Sequence, residues 1–169
     1  MTVVLIVAIM AMITMPLLQE QVAKREIETI ARRFVAHAQF ARTQALHLGA
    51  PVLMSPRIEN DWESGWLVKN ACIGKAKQFD CNSRNWFSQE KIHPIYFKGG
   101  GKGFSDPHSN QKGILFNAAG AAKSGQGGFV ANRLILGHLK MPHLERQLIM
   151  GSGGRWRICD PLADSKACK

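Results

Sequence analysis

Two hydrophobic patterns follow one another through the first 48 residues. Met1 to Leu18, MTVVLIVAIMAMITMPLL, carries no charge and has only Thr2 and Thr14 as polar side chains. At the helical rise this run covers about 27 Å, close to the hydrocarbon thickness of a bilayer, with Pro16 interrupting it near its end. From Gln19 onward Ala23, Ile27, Ile30, Phe34, Ala38, Ala41, Ala45 and Leu48 recur at steps of three and four, with Lys24, Arg25, Glu28, Arg32, Arg42 and Gln44 between them. That spacing predicts one apolar stripe on a water-exposed helix. Gly49 and Pro51 stop it, because glycine takes the left-handed cap and proline cannot donate the next helical bond. The expectation is a single rod, with a transmembrane half at 1–21 and an amphipathic half at 22–48.

Beyond Pro51 the period shortens toward that of strands. Val52–Met54, Gly65–Val68, Ile92–Phe97, Gly113–Phe116, Phe129–Leu136, Gln147–Met150 and Arg155–Ile158 are the candidate strands. Turn compositions lie between them at Glu59–Ser64, Gly99–Gly103, Asp106–Asn110 and Ser124–Gly128. A run of strands after one long helix predicts an α+β fold, with antiparallel sheet packed on the helix stripe. The alanines at 38, 41 and 45 let that sheet approach closely. Residues 49–169 suffice for one β-rich globular head with a proper core.

Charge and cysteine change this picture in two ways. From Lys91 to the end, twelve Lys and Arg face four acids, most of the net +10 of the chain. Such a surface suits a polyanionic partner, nucleic acid or anionic lipid, and equally suits simple solubility. The four cysteines form two local pairs, Cys72 with Cys81 and Cys159 with Cys168, neither at the spacing of a zinc site. Three pairings are open to four cysteines, and the two equal local loops are the simplest. Disulfides place the head in an oxidising compartment.

Catalytic chemistry is not suggested. Gly99-Gly-Gly-Lys102-Gly103 lacks the Ser or Thr and the following helix of a phosphate-binding loop. The six histidines are scattered, with no HExxH pair and no nucleophile motif beside them. No metal or cofactor is expected, and the chain is read as a non-enzyme.

The start of the chain resembles the mature N-terminal helix of type IV pilins and type II secretion pseudopilins, from just after their glutamate. A signal peptide would begin with cations, whereas the first ones here, Lys24 and Arg25, follow the apolar run. The positive-inside rule would then put that end in the cytoplasm, against the cysteines. Both facts fit a true start upstream of Met1, carrying a basic leader that ends in glycine. The resemblance implies cleavage by a prepilin peptidase and methylation of the new amine, and Met1 is expected to be an internal methionine or a trimmed end.

The head carries family marks as well. Trp62-Glu-Ser-Gly-Trp66-Leu-Val resembles the strand that follows the helix in FimT, FimU and GspH proteins. Ile114-Leu-Phe-Asn-Ala-Ala-Gly120 resembles their "F-x-x-x-G" segment, with Ala119 where proline often stands. Gln147–Cys159, QLIMGSGGRWRIC, resembles their closing hairpin, with Gly154-Arg155-Trp156-Arg157 matching Gly-Arg-x-Arg. The resemblance spans nearly the whole chain. It implies a type IV pilin-like fold, anchored by a single pass in the inner membrane with the head in the periplasm, and partners among other major and minor pilins or pseudopilins.

On a strand, Arg155 and Arg157 point to one face while Trp156 and Ile158 point to the other. Two guanidiniums so placed can grip backbone phosphates, and Arg146, Lys166 and Lys169 are expected to extend the patch. In FimT-like proteins the motif is associated with capture of double-stranded DNA for natural transformation. The expectation is therefore a FimT/FimU-like minor pilin that assembles at a type IV pilus tip and holds DNA. The alternatives are a GspH-like minor pseudopilin of a type II secretion system without DNA binding, and a free-standing membrane-anchored DNA receptor.

Overall fold

The computed structural model describes residues 2–71, 85–101, 104, 112–123, 128–151, 153–166 and 168, the side chains of 2–17 excepted. Cys72, Cys81 and Lys169 lie outside these residues, as do the 106–110 and 124–127 turns. One helix, α1, runs unbroken over Thr2–Leu48. Gly49 follows it at φ +60°, the left-handed cap that the glycine makes free of steric cost. Among the described residues no helix is long and apolar enough to cross a membrane, and most of the apolar run falls on side chains outside that set.

Among the described residues nine strands follow, forming two antiparallel sheets. The first sheet has the order β3-β2-β1-β5-β6, from Asn85–Gln89, Asp61–Asn70, Val52–Ile58, Ile114–Phe116 and Ala122–Lys123. The second has the order β4-β7-β8-β9, from Ile95–Gly100, Asn132–His138, Met141–Met150 and Trp156–Cys159. The expected α+β architecture, a long helix packed on antiparallel sheet, is the one observed.

Several boundaries move, each for a local reason. Asp61–Ser64, expected as loop, belongs to β2, because the β1–β2 turn closes tightly at Asn60, whose φ is +63°. Asn side chains tolerate that conformation better than most. Ser64 Oγ donates to the Asp61 carbonyl and accepts from Ile58 N–H, which satisfies the turn without a longer loop. Gly99–Gly100, also expected as turn, closes β4, and β8 begins at Met141 rather than Gln147. β3 carries the alternation Asn85-Trp-Phe-Ser-Gln89, too short and too polar at its ends to stand out.

The helix stripe buries Ala23, Ile27, Ala31, Phe34, Ala38, Ala41 and Ala45. Ala31 takes the place expected of Ile30, which is half-buried at the flank. Three residues on from Ile27 the helix has turned about 300°, four residues on about 400°, so Ala31 lies nearer the line of the stripe. Leu48 is 47% exposed, beyond the last sheet contact. Phe34 is the junction: Trp62 and Trp66 of the first sheet and Phe97 and Trp156 of the second surround it edge-on, with centroids 5.0–5.8 Å away.

Candidate functional site

The closing hairpin is built by β8, a Gly-rich turn and β9. Its register pairs Met150 with Trp156, Ile149 with Arg157 and Leu148 with Ile158. The turn closes through Gly151 N–H to the Arg155 carbonyl at 2.9 Å and Gly154 N–H to the Gly151 carbonyl at 2.9 Å. Alternation then sends Leu148 and Met150 into the core, with Trp156 and Ile158 half-buried beside them. Trp156 meets Phe34 edge-on and Phe104 at a tilt, which makes it a packing residue. Arg155 and Arg157 are exposed on the opposite face, two residues apart. Arg157 is itself engaged by a neighbour.

Gly154 lies where the helix, the turn after β5 and the closing hairpin converge. It is buried, its φ is +73°, and a Cβ there would stand 3.5 Å from Arg42 Nε and 3.4 Å from the Gly120 carbonyl. Arg42 Nε donates to that same carbonyl at 2.9 Å. Gly120 sits in a turn that Asn117 holds by accepting from Ala119 N–H and Ala121 N–H, while Leu46 packs where a Gly120 side chain would be. The Phe116–Gly120 segment and the Gly154–Arg157 segment thus meet across one helix arginine. Arg42, expected as a solvent residue of the helix, is a half-buried tie.

Arg146 corrects the expected phosphate patch. It is 8% exposed, and its guanidinium binds Glu28 at 2.9 Å and Asp160 at 2.8 Å, with a further bond to the Glu145 carbonyl. A phosphate would have to displace two carboxylates. The strand alternation explains the placement: residues 144, 146, 148 and 150 all face inward. Lys166 is exposed in the loop closed by the Cys159–Cys168 disulfide, one of the two expected pairs. Asp164 Oδ1 accepts from its backbone N–H at 3.0 Å.

Two histidines, unassigned from the sequence, join helix to sheet. His37 Nδ1 accepts from Trp66 Nε1–H at 2.9 Å, and its ring lies 3.6 Å from that of Phe87. Burial, helped by the Arg33 charge, lowers its pKa to about 4, so the ring is neutral at pH 7. His138, at 1% exposure, meets Glu26 Oε2 through Nε2 at 3.0 Å. Among the described residues no group of His, Cys, Asp or Glu is placed to hold a metal ion.

The family profile described as "Type II transport protein GspH" matches residues 31–166. The chain belongs to the GspH family. In fold it is similar to the type IV minor pilin FimU of Pseudomonas aeruginosa, at 14% identity and TM-score 0.57, covering 80% of this chain and 89% of that one. It is also similar to the minor pseudopilin EpsH of the type 2 secretion system of Vibrio cholerae, at 10% identity and TM-score 0.56, covering 80% and 98%. No curated protein sequence matches it. The GspH match takes in the helix from Ala31 onward, both sheets and the closing hairpin, and the family is one of transport-system subunits rather than enzymes.

Proposed function

We propose that the chain is a minor subunit at the tip of a type IV pilus. The observation that carries this reading is the division of α1: among the described side chains the head buries the stripe from Ala23 to Ala45, and the sequence before it, Met1 to Leu18, is an uncharged apolar run. A helix with such an uncharged, apolar first half serves first as a bilayer anchor and then as a filament strand packed among its neighbours' helices. The head lies in the periplasm, in keeping with the Cys159–Cys168 disulfide. Other pilins are the partners, joined by a prepilin peptidase if a leader precedes Met1. The GspH description favours a second reading, a minor pseudopilin of a type II secretion system, which uses the same helix in the same way. Deleting the gene separates them: lost surface pili support the first reading, lost secretion of exoproteins with normal pili the second, and neither loss overturns both.

DNA capture is proposed for the outer face of β9. Arg157 lies there and Arg155 directly before it, both exposed, at the end of the basic half of the chain, with Lys166 in the adjoining disulfide loop. Contacts to phosphate alone give weak binding that ignores sequence and falls steeply with salt. The expected result in fluorescence anisotropy is similar affinity for unrelated duplexes. Arg155→Gln with Arg157→Gln should lose most binding and lower the salt slope by up to about two units. Unchanged binding by this double variant would leave the hairpin as a structural part of the tip.

A further inference from the structure

Two grooves flank α1 where it leaves the apolar run, and they share Val22 and Glu26. One, of about 370 Å³, separates the helix at Leu18 from the β7–β8 turn. The other, of about 440 Å³, lies between the helix from Val22 to Arg33 and the chain from Gln89 to Ile95. Val22 stands four residues past Leu18, about 6 Å along the helix axis, so both grooves open at the level where the uncharged run ends.

Their chemistry combines apolar floor and cationic rim. Ile30, Ile92 and Pro94 line the larger groove, and Leu18, Val22 and Leu139 remain 61%, 53% and 53% exposed around the pair. Arg25 and Lys91 border the larger groove and Lys140 the smaller. None of these three cations makes an ion pair with the described residues, in contrast to Lys24, Arg32, Lys98 and Arg146. The acid common to both linings, Glu26, is occupied by His138. Unneutralised cations above exposed aliphatic side chains, beside a membrane-length apolar run, complement a phosphodiester headgroup above acyl chains.

We propose that this end of the head docks on an anionic phospholipid surface. Arg25 and Lys91 hold headgroup phosphates over the larger groove, and the Leu139–Lys140 turn sets into the interface. The docking rests on the proposed anchoring of residues 1–18 in the bilayer. It fixes the orientation of the head before assembly, and entry into a filament then exchanges headgroups for protein.

The test is amide exchange, read by mass spectrometry on the full chain in bilayer nanodiscs of phosphatidylcholine, with or without phosphatidylglycerol. Each basic residue at an anionic surface strengthens attachment about fivefold, so residues 89–95 and 139–141 should exchange at least about fivefold more slowly with phosphatidylglycerol present. Arg25→Gln with Lys91→Gln and Lys140→Gln should return them to the phosphatidylcholine rate while β8 keeps its protection. Equal rates in the two lipids would overturn the proposal. If added filament subunits slow these segments and lipid charge does not, the grooves belong to a protein partner instead. A chain that fails to co-elute with nanodiscs overturns the anchoring itself, a result distinguishable from the others.

Discussion

At Phe34 the helix meets both sheets through aromatic rings, whereas six residues earlier, at Glu28, it meets the second sheet through charge. The aromatic junction is dry: Phe34 and Trp66 are fully buried, and four rings close on Phe34 edge-on. The ionic junction is a clasp, with Arg146 set between Glu28 of the helix and Asp160 beside the Cys159–Cys168 loop. Burying a Phe side chain gains about 1.5–3 kcal/mol before any ring geometry is counted. The clasp gains far less, because desolvating a guanidinium offsets much of its attraction to carboxylates. What it supplies is position, tying the helix, β8 and the disulfide loop at one point. The comparison assigns stability to the first junction and alignment to the second.

The sharpest way to break that assignment is Phe34→Ala, expected to cost about 3–5 kcal/mol as a buried aromatic is replaced by a cavity. Melting should fall by roughly 10 °C, and Phe34→Asp should leave no folded head at all. Next comes Arg146→Ala, which strands two carboxylates that still reach water, and about 1–3 kcal/mol should be lost. Arg146→Met, which keeps the volume without the charge, should lose less than Arg146→Ala in urea unfolding. If it loses as much as Phe34→Ala, the clasp is a stability element and the division fails.

The smallest effect expected is a dependence on pH at His37, which borders the aromatic junction through Trp66. Its folded pKa, about 4, lies below the ordinary value of 6.5. Between those values the unfolded chain binds a proton that the folded chain refuses, so stability is complete above about pH 6.5 and declines as the pH falls toward 4. Discounted for partial exposure of the ring, the loss should be about 1 kcal/mol. His37→Gln, which retains an acceptor for Trp66, should flatten that slope relative to the parent. Identical slopes would remove His37 from the account of acid sensitivity.

The helix, its cap and its stripe were legible in the sequence because they are local: spacing of three and four at Ala23, Ile27 and Phe34 fixes a face without knowledge of what covers it. The three family segments of the head were legible by resemblance, and the facing of Arg155 and Arg157 by the two-residue period of a strand. The same period, applied to Arg146, would have turned it inward had the start of β8 been known. Nothing local marks Glu28 as its partner, since the two are 118 residues apart. Arg42 reads as an ordinary helix arginine until the fold brings the Gly120 carbonyl to it. The sequence by itself determined where apolar surface must be hidden, because that depends on composition and period alone. Only the tertiary structure decided which charges are spent inside the molecule and which remain on its surface, because an ion pair requires two groups within a few ångströms and sequence distance says nothing of that.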